Sequence, residues 1–378
     1  MVLGQSFALA TERVVAPIEG MHLTISNGWF AATGVPGRAV QRVHDAASRA
    51  VYRSVQLGAA VLGDAVSGHV SADSPSSVKA QAIVNGLWGD DLGHYERDLE
   101  IPMEVRSSVG ELVTDASRTV NAPPEATPHL VVLVHGLFES EMCWREGGDD
   151  PSVSTGLERR PHLTMLSVRY NSGRRILDNG DELATMLEAL CTNWPVHIES
   201  IVLVGNSMGG LLIWSACTEG QRRNRTWVEK VSQVVTVATP HLGTPVEKGV
   251  AILSTALSFA ESTRPLSRFL DSRSKGIKDL RRGTAAEDGY GLASSIDHLA
   301  IAAVVTSDPE HPIGGVLGDL VVRPSSASMG ESQATTSVSV VGGTNHFAAL
   351  ANPAVIDRVL EYVDSGTLAA EDYEPAVS

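Results

Sequence analysis

The stretch ESIVLVGNSMGGLLIW, Glu199–Trp214, carries the pattern that decides the fold. Ile201–Val204 is a short, wholly apolar run of the kind that forms a strand buried on both faces. Gly205-Asn206-Ser207-Met208-Gly209-Gly210 follows at once and predicts a sharp turn into a helix that begins near Leu211. That is the composition of a nucleophile elbow. A serine held in a strained strand-to-helix turn needs neighbours without bulk two positions before and two after it, and Gly205 and Gly209 meet that need. The helix directs its positive N-terminal end at the turn, which makes the Met208 amide a candidate oxyanion donor.

Outward from this stretch the chain alternates. Leu130–Val134 reads as a buried strand ending in His135-Gly136-Leu137-Phe138, and Leu163–Tyr170 as the next. Leu183, Met186, Leu187 and Leu190 fall at helical spacing, with Asp178 or Asn179 as a cap. Val234–Val237 is a further strand, closed by Ala238-Thr239-Pro240. Leu299–Val305 and Val338–Val341 continue the series, and Val355, Ile356, Val359, Leu360 and Val363 mark one face of a last helix. Strand and helix in this rhythm demand a mostly parallel central sheet with helices on both faces.

Elsewhere the rhythm is absent. Residues 38–62 predict an amphipathic helix packed on the main domain. Ser67–Lys79 reads as a polar connector, and NGLWGDD, Asn85–Asp91, as a turn. The strand-like LEIPMEVRS at 99–107 can pair with 111–120 as a hairpin, and the prolines of 121–128 form a stiff spacer. Between Pro240 and Asp297 the alternation stops. Val246, Val250, Leu253, Leu257 and Ala260 suggest a helix, and Ile252 and Phe259 make its other side apolar too. A helical cap inserted over 241–297 has this look, as does a sheet-packing helix made longer. The expected organisation is an N-terminal helical extension with the first strands over 1–128, a main domain over 129–364, and a flexible acidic tail over 365–378.

Composition narrows the function. The 378 residues carry 29 basic and 44 acidic side chains, a net charge of −15, which opposes nucleic acid or an anionic membrane as the main partner. Cys143, Cys191 and Cys217 are widely spaced and form no metal-binding pattern. The first twenty residues lack a basic segment, and no apolar run is long enough to span a bilayer, so a soluble, cytoplasmic protein is expected. There is no G-x-x-x-x-G-K-[ST] and no H-E-x-x-H, and Gly342-Gly343 lacks the third glycine of a dinucleotide fingerprint.

A serine nucleophile needs a base within hydrogen-bond reach and an acid that fixes the base's tautomer. After an elbow, both come later in the chain, on loops that follow strands. His346 suits the base, since it follows the 338–341 strand through Gly342-Gly343-Thr344-Asn345 and precedes the final helix. Two acids compete. Asp319 lies between the 299–305 strand and His346, and Asp308 sits closer to its strand end in a turn-like Thr306-Ser307-Asp308-Pro309, with Asp297 and Glu310 behind them. Gly136 lets the first loop turn so that the Leu137 amide can act as second oxyanion donor. His135 reads as a structural hydrogen-bonding residue, and His241 as a residue shaping the mouth of the cap.

VVLVHGLFES, VLVGNSMGGLL, VATPHLGTP, GDLVVRPSSA and Asn345-His346 together resemble the lipase-like branch of the α/β-hydrolase superfamily, which includes the GPI inositol-deacylases. The resemblance covers about residues 129–363. It implies the α/β-hydrolase fold, a Ser207–Asp319–His346 triad, an oxyanion hole from the Leu137 and Met208 amides, and no cofactor. The reaction it implies is hydrolysis of a small-molecule or lipid carboxylic ester. A thioesterase or amidase would use the same groups, and a catalytically inactive binding protein could keep the fold.

Overall fold

The computed structural model describes residues 75–95, 100–145, 151–243, 274–280, 283, 291–319, 321–328 and 336–367. The expected helix over 38–62, the apolar stretch 246–260 and the end of the tail lie outside these residues. The chain divides into two compact units, 1–84 and 85–378, with the boundary inside helix α1, Pro75–Tyr95. Apart from the start of that helix, everything below concerns the second unit.

Eight strands form one sheet among the described residues. They are β1 Glu104–Ser107, β2 Leu112–Thr114, β3 His129–Val134, β4 Leu163–Arg169, β5 Ser200–Asn206, β6 Val231–Val237, β7 Asp297–Ala303 and β8 Thr336–Val341. Their order across the sheet is β2-β1-β4-β3-β5-β6-β7-β8. β1 pairs antiparallel with β2 and β4, and every other pairing is parallel. β1 and β2 are the expected hairpin in shortened form.

The helices are α2 Val153–Glu158, α3 Ile176–Asn193, α4 Met208–Arg222, α5 Lys275–Leu280, α6 Pro312–Leu317, α7 Pro324–Ala327 and α8 Pro353–Thr367. Successive side chains of a strand point to opposite faces, and β3 shows what this does. Leu130, Val132 and Val134 join Leu183, Leu187 and Leu190 of α3 and Leu212 and Ile213 of α4 in one core. Val131 and Leu133 join Leu157 of α2 and Val355, Ile356, Val359 and Val363 of α8 in the other. Apolar residues at every position of the central strands are thus needed for a sheet covered on both sides.

Five local expectations are corrected. NGLWGDD is the C-terminal part of helix α1, not a turn. Its glycines serve close packing: a Cβ on Gly86 would lie 2.2 Å from Phe138 Cδ1, and one on Gly89 1.8 Å from Asn171 Oδ1. The connector read over 67–79 gives way to helix at Pro75, where a proline costs no helical hydrogen bond. Helix α3 begins at Ile176 without a cap from Asp178 or Asn179. Its first N–H instead meets Asp279 Oδ2 at 3.1 Å. The helix after the elbow starts at Met208 rather than Leu211, and α8 runs on to Thr367.

Candidate active site

Strand β5 ends at Asn206, helix α4 starts at Met208, and Ser207 between them has φ 49° and ψ −117°. A non-glycine residue with positive φ is strained, and here its neighbours impose the strain. The Ser207 N–H is tied to the Val237 carbonyl at 2.8 Å. A Cβ on Gly205 would stand 2.5 Å from the Gly210 nitrogen, and one on Gly209 2.2 Å from the Val134 carbonyl oxygen. The turn closes only with glycine at both places.

The loops after β7 and β8 converge on this serine. His346 Nε2 lies 2.9 Å from Ser207 Oγ, and His346 Nδ1 lies 2.7 Å from Asp319 Oδ2. Asp319 is 1% exposed, so its second oxygen also needs partners. Oδ1 accepts the N–H groups of Val321 at 2.9 Å and Val322 at 2.6 Å. Gly318, at φ 62°, turns helix α6 into that loop, and the His346 N–H donates to the Asp319 carbonyl at 3.0 Å. Asp308 is exposed, and its Oδ1 accepts the Glu310 N–H at 3.0 Å, closing its own turn. Asp297 and Glu310 are exposed as well. Of the four acids, Asp319 is the one hydrogen-bonded to His346. An ionised carboxylate only accepts, so Nδ1 carries the ring proton and Nε2 is free to receive one from Ser207 Oγ.

Leu137 and Met208 flank the same serine. Among the described residues no acceptor meets the N–H of either, and both side chains pack with Ile176, Leu211 and Leu280.

His135 is wholly buried beneath this loop. Nδ1–H donates to the Gly136 carbonyl at 2.8 Å, and Nε2 accepts the Tyr170 N–H at 3.3 Å. The ring stacks on Tyr170 at 4.3 Å, and burial pulls its pKa down to about 4. It is a neutral structural residue. His241, expected at the mouth of the cap, is instead fully buried. Its ring lies against Trp214 and His298, and Nε2 is 3.2 Å from Thr236 Oγ1. Burial pushes the thiols of Cys191 and Cys217 up to about 12, which removes both as nucleophiles. Among the described residues no group of three His, Cys, Asp or Glu side chains could hold a metal ion, and no helix is long and apolar enough to cross a membrane.

Three contacts around the site have no counterpart in the sequence reading. Glu139 Oε2 accepts the Gly136 N–H at 2.8 Å and Asn206 Nδ2 at 3.0 Å. Ser172 Oγ accepts the Phe138 N–H at 3.3 Å. The one signal for Glu139 is its place three residues after Gly136, the spacing at which a capping-box glutamate reaches back to an amide.

Residues 124–273 match the profile of the family described as "Putative serine esterase (DUF676)". Among solved structures, the mature lipase BlEst2 of Bacillus licheniformis is similar at 19% identity and TM-score 0.44, over 64% of this chain and 94% of that one. A lipase-esterase related protein of Clostridium acetobutylicum is similar at 16% identity and TM-score 0.39, over 65% and 98%. The RedJ thioesterase of Streptomyces coelicolor is similar at 17% identity and TM-score 0.41, over 66% and 91%. No protein of curated function matches the chain. The strand order and the elbow after β5 give the chain the α/β-hydrolase fold, and over residues 124–273 it is similar to the family described as putative serine esterases.

Proposed function

We propose that this chain hydrolyses carboxylic esters through an acyl-enzyme on Ser207. The observation that carries the reading is His346, which spans Ser207 Oγ at 2.9 Å and Asp319 Oδ2 at 2.7 Å. Ser207 Oγ attacks the acyl carbonyl carbon while His346 Nε2 takes the hydroxyl proton. Asp319 holds the ring and stabilises the imidazolium. The carbonyl oxygen, now an oxyanion, is met by the Leu137 and Met208 amides, each of which contributes about 3 kcal/mol of transition-state stabilisation. His346 then gives its proton to the alkoxide, which leaves as the alcohol. A water molecule repeats the cycle on the acyl-enzyme and releases the acid. The apolar cluster of Leu137, Ile176, Met208, Leu211 and Leu280 favours an uncharged acyl group.

The test is hydrolysis of p-nitrophenyl esters from two to sixteen carbons. Ser207→Ala and His346→Ala should lose activity. Asp319→Asn should lose about a thousandfold or more, because an amide cannot accept the ring proton and also serve Val321 and Val322. Asp308→Asn should stay within about threefold of wild type, since its bond is local to a turn. Full activity in Ser207→Ala would sink the mechanism. An enzyme silent on every ester but labelled at Ser207 by a fluorophosphonate would move the reading to another acyl substrate.

A further inference from the structure

We infer that Glu139 is a positioning residue, one whose carboxylate oxygen locks the oxyanion loop to the nucleophile's strand. This rests on the ester-hydrolase reading.

Gly136 is the weak point of that loop. The Leu137 N–H belongs to the Gly136–Leu137 peptide, whose carbonyl is held by His135 Nδ1–H at 2.8 Å and by the Glu139 N–H at 3.4 Å. The preceding peptide is held at its carbonyl by the Tyr170 hydroxyl at 2.9 Å, and at its N–H by Glu139 Oε2 at 2.8 Å, the one side chain that also reaches the nucleophile's strand. Between these two rigid planes lie only the φ and ψ of a glycine, the residue with the widest choice of both. With both planes held, the direction of the Leu137 N–H is set.

The same oxygen sets distance as well as direction. Glu139 Oε2 also accepts Asn206 Nδ2 at 3.0 Å, and Asn206 immediately precedes the nucleophile. A Cβ on Gly136 would lie 2.9 Å from that oxygen and 3.2 Å from Ser207 Cβ, so the loop passes directly against the serine. One acceptor therefore spaces the donor loop from the attacking atom. Asn206 is 4% exposed and Gly136 is buried, so neither donor gains a full water partner if the carboxylate is removed.

The experiment compares wild type, Glu139→Ala and Glu139→Gln for kcat and KM on p-nitrophenyl butyrate and for the rate of fluorophosphonate labelling per folded protein. Glu139→Ala should lower kcat about 10- to 100-fold, part of what a lost oxyanion donor costs, with KM within about twofold and labelling slowed in step. Glu139→Gln keeps an oxygen able to take both N–H groups and should return to within about fivefold of wild type. If the alanine variant fails to fold, Glu139→Asp, one methylene too short to reach both donors, should show the same loss. An alanine or aspartate variant with wild-type kcat, or a glutamine variant as poor as alanine, overturns the inference. A wild type that labels but cleaves no ester leaves the labelling rates to decide in the same way. A wild type that neither cleaves nor labels overturns the ester-hydrolase reading and this inference with it.

Discussion

The carboxylate of Asp279 accepts the backbone N–H of Ile176 at 3.1 Å, a bond that spans 103 residues of sequence. The first N–H groups of a helix have no partner within it, and the residue before α3, Arg175, offers no side-chain cap. Asp279 therefore does the work of an N-cap from another element and brings negative charge to the positive end of the helix. Asp279→Ala should cost about 1 kcal/mol in urea unfolding. Asp279→Asn should cost less, because it keeps an acceptor and loses only the charge. Its contact with Arg175 Nε, at 3.8 Å and partly exposed, adds little. Equal losses in the two variants would show that charge, not the hydrogen bond, holds the helix end.

Ser207 pays for its position with backbone strain. At φ 49° its Cβ is unfavourable in a way that glycine avoids. Ser207→Gly should be more stable than Ser207→Ala by about 1 kcal/mol, since alanine removes the hydroxyl but keeps the Cβ. Both should be inactive. Equal melting temperatures would place the strain elsewhere.

Three buried histidines make the fold sensitive to acid. Burial lowers His135 and His298 from 6.5 to about 4 and takes His241 well below 6.5. As pH falls from 6.5 the unfolded chain takes up protons that the folded chain refuses. Stability that is fully present above 6.5 is therefore lost as pH falls towards 4. For His135 and His298 the loss reaches on the order of 3 kcal/mol each by pH 4. Urea unfolding at pH 7.5, 5.5 and 4.5 should show a falling midpoint, with a shallower fall in His298→Asn. A variant with the wild-type slope would assign the acid sensitivity to other groups.

The central strands were legible because Leu130–Val134 and Ile201–Val204 are apolar at every position, which only a doubly covered sheet requires. The placement of His346 was legible in the same way, as a loop residue between a strand and a helix. The choice between Asp319 and Asp308 was open in sequence because both follow the same strand. The fold separates them through Gly318 and the amides of Val321 and Val322, which turn one carboxylate inward. Asp279 was invisible, and Glu139 nearly so beyond its spacing from Gly136, because each bonds a backbone N–H, and every residue but proline has one. The glycines at 86, 89, 209 and 210 predict turn or loop, yet all four lie in helices, where the missing Cβ allows another segment to come close.

The strand order divides the site into two mechanical parts. Ser207 and Met208 directly follow β5, in the middle of the sheet, while Asp319 and His346 lie on the segments after β7 and β8. Among the described residues β8 is an edge strand that pairs with β7 alone, and Val338 and Val340 on it are exposed. Edge elements with few buried side chains open at lower free energy than the core. Detachment of β8 would carry His346 away from the serine while the central strands stayed paired. Heat should therefore silence the enzyme several degrees before the helical signal is lost, and activity should return on cooling as long as the centre has not melted. Coincident loss of activity and ellipticity would instead make the sheet a single cooperative body.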